Sequence, residues 1–228
     1  MTEKTKTTWK AIGGVLGGLA ALVGIIVFLT GKTSLPEFFP PKPKNIGDIY
    51  RFGKYDWIVL DIQNGKVLLL AADVLETRAY NDTHTTVTWE TCTLRAYLNS
   101  TFYESFSEGD RSRIALTRNT NPNNTWGSYN GQQFNTPGGN PTDDYIFLLS
   151  VPEMLEYFPD TKLDNSDGDE IDWSQTFSWW LRSPGGFQSN TAIVMFTGSD
   201  NYVSPLGNYV NYFDYSSGGV YPALWIKL

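Results

Sequence analysis

Two apolar blocks bracket a polar stretch near the C-terminal end of this chain, and they limit what it can fold into. The first reads Trp179-Trp180-Leu181-Arg182-Ser183-Pro184-Gly185. The second closes the chain as Gly219-Val220-Tyr221-Pro222-Ala223-Leu224-Trp225-Ile226-Lys227-Leu228. Residues 186–218 between them are rich in Asn, Tyr, Ser, Asp and Gly. Apolar blocks of this kind pack into a frame, and loops held on a frame carry recognition. Tyr, Ser, Gly and Asn are the residues binding loops favour, since they join rigid aromatic area to adaptable hydrogen bonding. The pattern reads as a binding scaffold and names no ligand.

The length of 228 residues, 41% of them hydrophobic, suits one folded domain plus an appendage. The net charge of −7 is unevenly spread: residues 1–32 hold four lysines against one glutamate, +3, so the rest carries −10. An acidic domain repels phosphate backbones, which disfavours nucleic acid as a partner. Cys92 is the sole cysteine, so no intrachain disulfide can form, and His84 is the sole histidine. The cysteine usage points to a reduced compartment or to a bacterial surface protein that relies on its core.

Residues 11–29 are uncharged and almost wholly apolar. At about 1.5 Å per residue they reach roughly 28 Å, close to the hydrocarbon thickness of a bilayer. A secretory signal would have a shorter apolar region and a small-x-small cleavage site. Phe28-Leu29-Thr30-Gly31-Lys32 follows here instead, which favours an uncleaved anchor. A buried helix is the weaker alternative, because the segment has no polar face. Lys4, Lys6 and Lys10 before the span weakly favour an inside N-terminus and an outside domain. Gly13, Gly17 and Ala21 recur every four residues, a spacing that lets two such helices approach closely. The same glycines are also simply common in membrane helices. The expected organisation is a tail over residues 1–10, a transmembrane helix over 11–30, a Pro-rich linker over 31–44 and a domain over 45–228.

Within the domain, residues 55–62 and 66–70 flank Gln63-Asn64-Gly65, and Asn-Gly between apolar runs predicts a hairpin. Leu94, Leu98, Phe102 and Phe106 recur every four residues and predict one helix over 89–106, with Cys92 an inert surface or semi-buried thiol. Ser107 caps a shorter helix to about Leu116. Residues 118–140 read as a long loop holding Trp126, Tyr129 and Phe134, and 145–149 as a short buried strand. Ser150-Val151-Pro152-Glu153 is a capping box that opens a helix to about Phe158. Residues 191–197, 201–204 and 209–213 read as short strands, with turns at Gly198-Ser199-Asp200 and Leu206-Gly207-Asn208. Residues 220–228 form a closing strand whose Pro222 belongs at an edge or a strand start. Together these elements predict an α+β domain.

Five landmarks carry a resemblance. They are Gly53-x-Tyr55-x-Trp57-x-Val59-Leu60, Trp89-Glu90-x-x-x-Leu94-Arg95-x-x-Leu98-Asn99, Asp144-x-Ile146-Phe147-Leu148-Leu149-Ser150-x-x-Glu153, and the two apolar blocks. From about Ile46 to Leu228 the chain resembles an uncharacterised bacterial domain family that often sits behind a single membrane span. The resemblance implies a C-type-lectin-like fold, with two helices and a first hairpin packed near a sheet whose last strand pairs beside the first. Tyr221 departs from the family, which usually has Arg there.

Some proteins with that fold are variable targets of diversity-generating retroelements, which randomise adenines in Asn codons. The resemblance therefore implies a ligand face at Phe187, Ser189, Asn190, Asp200, Asn201, Tyr202, Ser204, Asn208, Asn211, Tyr212, Phe213, Asp214, Tyr215 and Ser216, with Trp126 and Tyr129 beside it. Turn and loop chemistry favours the same residue types without any diversification.

Signs of catalysis are few. His84 in Asn81-Asp82-Thr83-His84-Thr85 has no partner motif and reads as a loop residue rather than a base. No Gly-x-Ser-x-Gly elbow occurs. The acidic loop at residues 164–172 has the oxygen ligands Ca²⁺ favours, but the EF-hand register places Leu163 at its first position, so it reads as a solvated loop. Trp179 and Trp180 read as core, and Arg182 as a structural residue with Glu153 or Glu90 as partner. The chain is therefore expected to be a non-enzymatic, membrane-anchored binding module without cofactor or metal, displayed to a protein or glycan ligand. A structural cell-envelope protein and a carboxylate-based hydrolase are the alternatives.

Overall fold

The computed structural model describes residues 42–43, 45–164, 177–196, 200–212 and 218–228. The chain divides into two compact units, Met1–Lys42 and Pro43–Leu228, and the fold below is that of the second. The expected membrane span and its Gly13, Gly17 and Ala21 face lie outside the described residues. Among the described residues no helix is long and apolar enough to cross a membrane.

One sheet begins with β1 (Ile49–Phe52), β2 (Tyr55–Gln63) and β3 (Lys66–Ala71). The predicted Asn-Gly hairpin joins β2 to β3, with Asn64 at φ 51° and Gly65 at φ 72°. Both central residues thus have the positive φ that a tight right-twisted hairpin requires. Two more strands complete this sheet, β5 (Ile114–Ala115) and the final strand β15 (Ala223–Lys227). The order is β1-β2-β3-β15-β5, antiparallel throughout.

The expectation that the last strand pairs beside the first is corrected here. β15 lies between β3 and β5, and β1 is at the edge. The tight reversal at Gly53 (φ 59°) folds β1 onto the outer side of β2. The free side of β3 is left for β15.

The second sheet contains β4 (Glu76–Thr77), β10 (Lys162–Leu163), β11 (Phe177–Pro184), β12 (Asn190–Phe196), β13 (Asn201–Tyr209) and β14 (Gly219–Val220), in the order β10-β13-β12-β11-β14-β4. The expected closing strand is thus two strands in two sheets. Tyr221-Pro222 carries the chain across, and Pro222 O accepts from Ala71 N at 2.9 Å. The β3–β4 link crosses alongside it, with Leu75 N donating to Val220 O at 3.1 Å. The strands expected at 201–204 and 209–213 are one strand as far as Tyr209, because Leu206-Gly207-Asn208 is a bulge rather than a turn. The β12 register shifts between Thr191 and Ile193. Gly207 has φ 74°, and a Cβ there would lie 1.9 Å from Thr191 O. Only glycine fits that approach.

The predicted helix over 89–106 forms over residues 93–104 and contains a π-helical turn. Cys92 caps a single α-helical turn, α1 (Thr93–Tyr97), which passes into a π-helical turn, Leu98–Phe102. The stripe Leu94, Leu98, Phe102 and Phe106 is nonetheless buried throughout. Asn99 explains why residues 145–149 are not a strand. Its Oδ1 accepts from Tyr145 N at 2.7 Å and Ile146 N at 3.2 Å, and its Nδ2 donates to Ile146 O at 2.8 Å. With those backbone groups satisfied by a side chain, the segment makes a single bridge, Phe147 with Ala223, and Leu149 O accepts from Arg182 N at 2.9 Å.

Ser107 caps α2 (Glu108–Arg113), which stops short of the expected Leu116 because β5 begins. The capping box at Ser150 and Glu153 is complete and starts α3 (Val151–Tyr157). The expected loop at 118–140 holds three short strands or parts of them: β6 (Thr117–Asn119), which pairs with β9 (Thr142–Asp144), and a second hairpin, β7 (Ser128–Tyr129) with β8 (Gln132–Gln133).

One hydrophobic core joins both sheets and α1. Trp57, Val59, Leu69, Leu94, Leu98, Ile146, Leu148, Val194 and Leu224 are fully buried within it. Each such side chain contributes roughly 1.5–3 kcal/mol of burial.

Candidate functional site

The frame is built on β11. Trp180 is buried and donates Nε1 to Arg78 O at 2.7 Å. Trp179 is half-buried and packs against Tyr221, ring centroids 4.8 Å apart. Tyr221 thus makes an aromatic contact.

Arg182 is 3% exposed and meets Glu153, not Glu90. Its Nη1 and Nη2 donate to both Glu153 oxygens, to Leu148 O at 2.8 Å and to Thr120 O at 3.4 Å. Burial pushes the Glu153 carboxyl up. The Arg182 guanidinium and the Ser150 hydrogen bonds outweigh it and hold the pKa below the ordinary carboxylate value. Glu90 instead accepts from Asn140 Nδ2 at 3.0 Å.

A second buried carboxylate holds α1 to the β6–β9 ribbon. Asp144 accepts from Trp89 Nε1 at 3.0 Å, Arg95 Nε at 2.6 Å, Asn119 Nδ2 at 2.9 Å and Thr142 Oγ1 at 2.7 Å.

Four loops gather at one end of the second sheet, where β11 ends, β12 starts and β13 ends. They are residues 81–88, 124–137, 185–189 and 208–212. Polar side chains key them together, Asn124 and Thr136 buried and Gln188 half-buried. Asn124 donates Nδ2 to Pro184 O at 3.1 Å and Pro205 O at 2.7 Å, and its Oδ1 accepts from Trp126 N at 3.1 Å. Thr136 Oγ1 donates to Gly186 O at 2.7 Å. Gln188 Nε2 donates to Val87 O at 2.9 Å and Pro137 O at 3.2 Å. Val210 N donates to Ser189 O at 3.0 Å, and Asn81 N to Val210 O at 2.7 Å.

Exposed rings crown this end. Trp126, Tyr129, Phe187, Tyr209 and Tyr212 are 39%, 37%, 49%, 53% and 48% exposed. Tyr129 meets Phe187 edge-on at 5.7 Å, and His84 meets Tyr209 edge-on at 4.9 Å.

The sequence-predicted ligand face divides into three groups. Phe187, Ser189, Asn208, Asn211 and Tyr212 lie at this end with Trp126 and Tyr129. Asp200, Asn201 and Tyr202 do not: Asn201 pairs with Phe196 at the far end of β12. There Asp200 lies 3.3 Å from Lys162, whose ammonium sits 5.3 Å from the centre of the Tyr202 ring. Asn190 and Ser204 belong to the frame rather than the surface. Asn190 is buried at the start of β12, and Ser204 Oγ accepts from Gly207 N at 3.3 Å. Phe213, Asp214, Tyr215 and Ser216 lie outside the described residues, as does the acidic loop beyond Asp164.

Sequence reasoning missed Tyr209 and the keys Asn124, Thr136 and Gln188. Asn130-Gly131, the turn of the β7–β8 hairpin, is the signal that marks Tyr129 as held on a hairpin.

Chemically the site is aromatic and amide-rich. Cys92 is fully buried rather than at the surface, and burial pushes its thiol up to about 12, which leaves it inert. Among the described residues no three His, Cys, Asp or Glu side chains converge to hold a metal ion. A shallow groove of about 280 Å³ lies apart from these loops, lined by Gln63, Asn64, Lys66, Leu116, Thr117, Arg118 and Trp225.

Two sheets that share one core, joined by short helices, define a small α+β domain. The chain matches the family described as a domain of unknown function (DUF6273) over residues 64–228, and it belongs to that family. No curated protein and no solved structure matches it.

Proposed function

We infer that this chain is a membrane-anchored binding module displayed outside the cell, with a C-type-lectin-like domain behind the apolar segment at residues 11–30. Its recognition face is the loop-built end that carries Trp126, Tyr129, Phe187, Tyr209 and Tyr212. One observation supports this above all. Five large rings stand exposed on loops whose backbones are keyed to the frame by buried side chains. Exposed aromatic clusters on pre-organised loops mark interaction surfaces, since ring burial is gained with little ordering cost. The ligand is a protein or glycan at the cell surface, bound without covalent chemistry. Diversification by a retroelement accounts for the Tyr- and Asn-rich composition, and adenine-confined differences from a nearby repeat in the coding DNA are its test.

The binding reading is tested by a screen of the full-length chain against cell-surface proteins and glycans, followed by alanine changes. Phe187→Ala and Tyr209→Ala should weaken capture of any ligand found by at least about tenfold, as expected for central aromatic contacts. Asp200→Ala and Tyr202→Ala should leave it unchanged. Equal effects at both ends of β13, with the fold intact by circular dichroism, would overturn the assignment of the face.

A further inference from the structure

Asn64 and Asn130 are the only non-glycine residues with positive φ among the described residues, at 51° and 49°. Each precedes a glycine, Gly65 at φ 72° and Gly131 at φ 74°. The two hairpin turns therefore share one backbone form and one pair of residues. All four residues are exposed, and a Cβ built on either glycine meets nothing within 4 Å. Asn before Gly is the pair in which the following backbone nitrogen most easily reaches the side-chain amide carbon, because no side chain blocks the approach.

The chemistry at the two turns is the same, but their support is not. Asn64-Gly65 joins the nine-residue β2 to the six-residue β3 inside a five-stranded sheet. Leu228 N also donates to Gly65 O at 2.9 Å. Asn130-Gly131 joins two strands of two residues each, in register only at Ser128 with Gln133 and Tyr129 with Gln132. Below them the ribbon is held by Phe134 N to Gly127 O at 2.8 Å and Gln133 Nε2 to Thr125 O at 2.7 Å. Attack requires the turn to leave its hairpin conformation. Its rate therefore follows local opening, which is easiest where few buried contacts hold the segment.

We propose that Asn130 is a site of self-modification, converted through a cyclic imide to Asp and isoAsp, while Asn64 is protected by its sheet. Gly131 N attacks Asn130 Cγ and forms a new C–N bond. The bond from Cγ to the side-chain nitrogen breaks, and that nitrogen leaves as ammonia with the proton lost by Gly131 N. Water, the only co-reactant, then adds to one of the two imide carbonyls. Opening at one yields Asp; opening at the other yields isoAsp, with the backbone rerouted through the side-chain carbon. No electrons are transferred. A neutral amide becomes a carboxylate next to Tyr129, and the isoAsp route also lengthens the hairpin backbone beneath the Tyr129–Phe187 contact. The proposal stands whether or not that face binds a ligand.

The test is incubation of the purified full-length chain in mildly alkaline buffer, followed by peptide mapping that separates Asn, Asp and isoAsp at both positions in one sample. Asn130 should convert at least about tenfold faster than Asn64, the factor given by a gap of about 1.4 kcal/mol in opening free energy. In denaturant the two rates should converge, and Gly131→Ala should suppress conversion at Asn130 while leaving Asn64 unchanged. Equal rates in the folded chain, or faster conversion at Asn64, would overturn the proposal. So would a rate difference that persists in denaturant, since the flanking sequence and not the fold would then set it.

Discussion

Arg182 spreads its guanidinium across the Glu153 carboxylate and the carbonyls of Leu148 and Thr120, in a position almost sealed from solvent. It ties β11 to α3 and to the segment that leads into it. Arg182→Met keeps the bulk but leaves Glu153 and two carbonyls without their donor. A loss of about 3 kcal/mol is expected, the lower end for breaking a buried pair by removing one partner. The urea midpoint should fall accordingly, with the slope unchanged. The same pair sets an acid limit. The Glu153 carboxyl titrates lower in the fold than in the unfolded chain. Its contribution is therefore complete above the unfolded value and is lost as pH falls through the folded one. Stability measured against pH should drop on the acid side of the ordinary carboxylate range, and Glu153→Gln should flatten that limb.

At the scale of elements, what the sequence reveals depends on how local the controlling bonds are. The Asn64-Gly65 hairpin, the Ser107 cap and the Ser150–Glu153 box are legible because each closes within a few residues. The π-helical turn after Tyr97 is not, and neither is the loss of the strand at 145–149. Asn99 bonds a backbone 47 residues away, which no periodicity records. The sequence divides β13 because Gly207-Asn208 signals a turn, whereas here Gly207 admits a close approach to Thr191. Of the candidate site, the loop residues were legible by composition. Their division between two ends of β12 and β13 was not, since it follows from strand register. The keys were hidden for the same reason: Asn124 reaches carbonyls 60 and 81 residues away. Asn124→Ala should free the β7–β8 ribbon. Hydrogen exchange at Phe134 and Thr136 should accelerate while β2 and β3 stay protected, with a global cost of about 1–3 kcal/mol for the carbonyls left unpaired.

For the whole molecule, the family match begins at Asn64, inside a hairpin whose first strand lies before it. β2 contributes Trp57 and Val59, both fully buried, and covers the length of β3. A chain beginning at Asn64 should therefore show no cooperative unfolding transition, whereas one beginning at Asn45 should, as followed by near-ultraviolet circular dichroism. The way the loops are keyed has a further consequence. Asn124, Thr136 and Gln188 grip Pro184, Pro205, Gly186, Val87 and Pro137 by their carbonyl oxygens, and Val210 grips Ser189 in the same way. A carbonyl is the one acceptor that all twenty amino acids share. The letters at Phe187, Tyr209 and Asn211 can be exchanged without breaking any of those bonds. Heritable change can therefore rewrite what this end presents while the support beneath it is inherited intact.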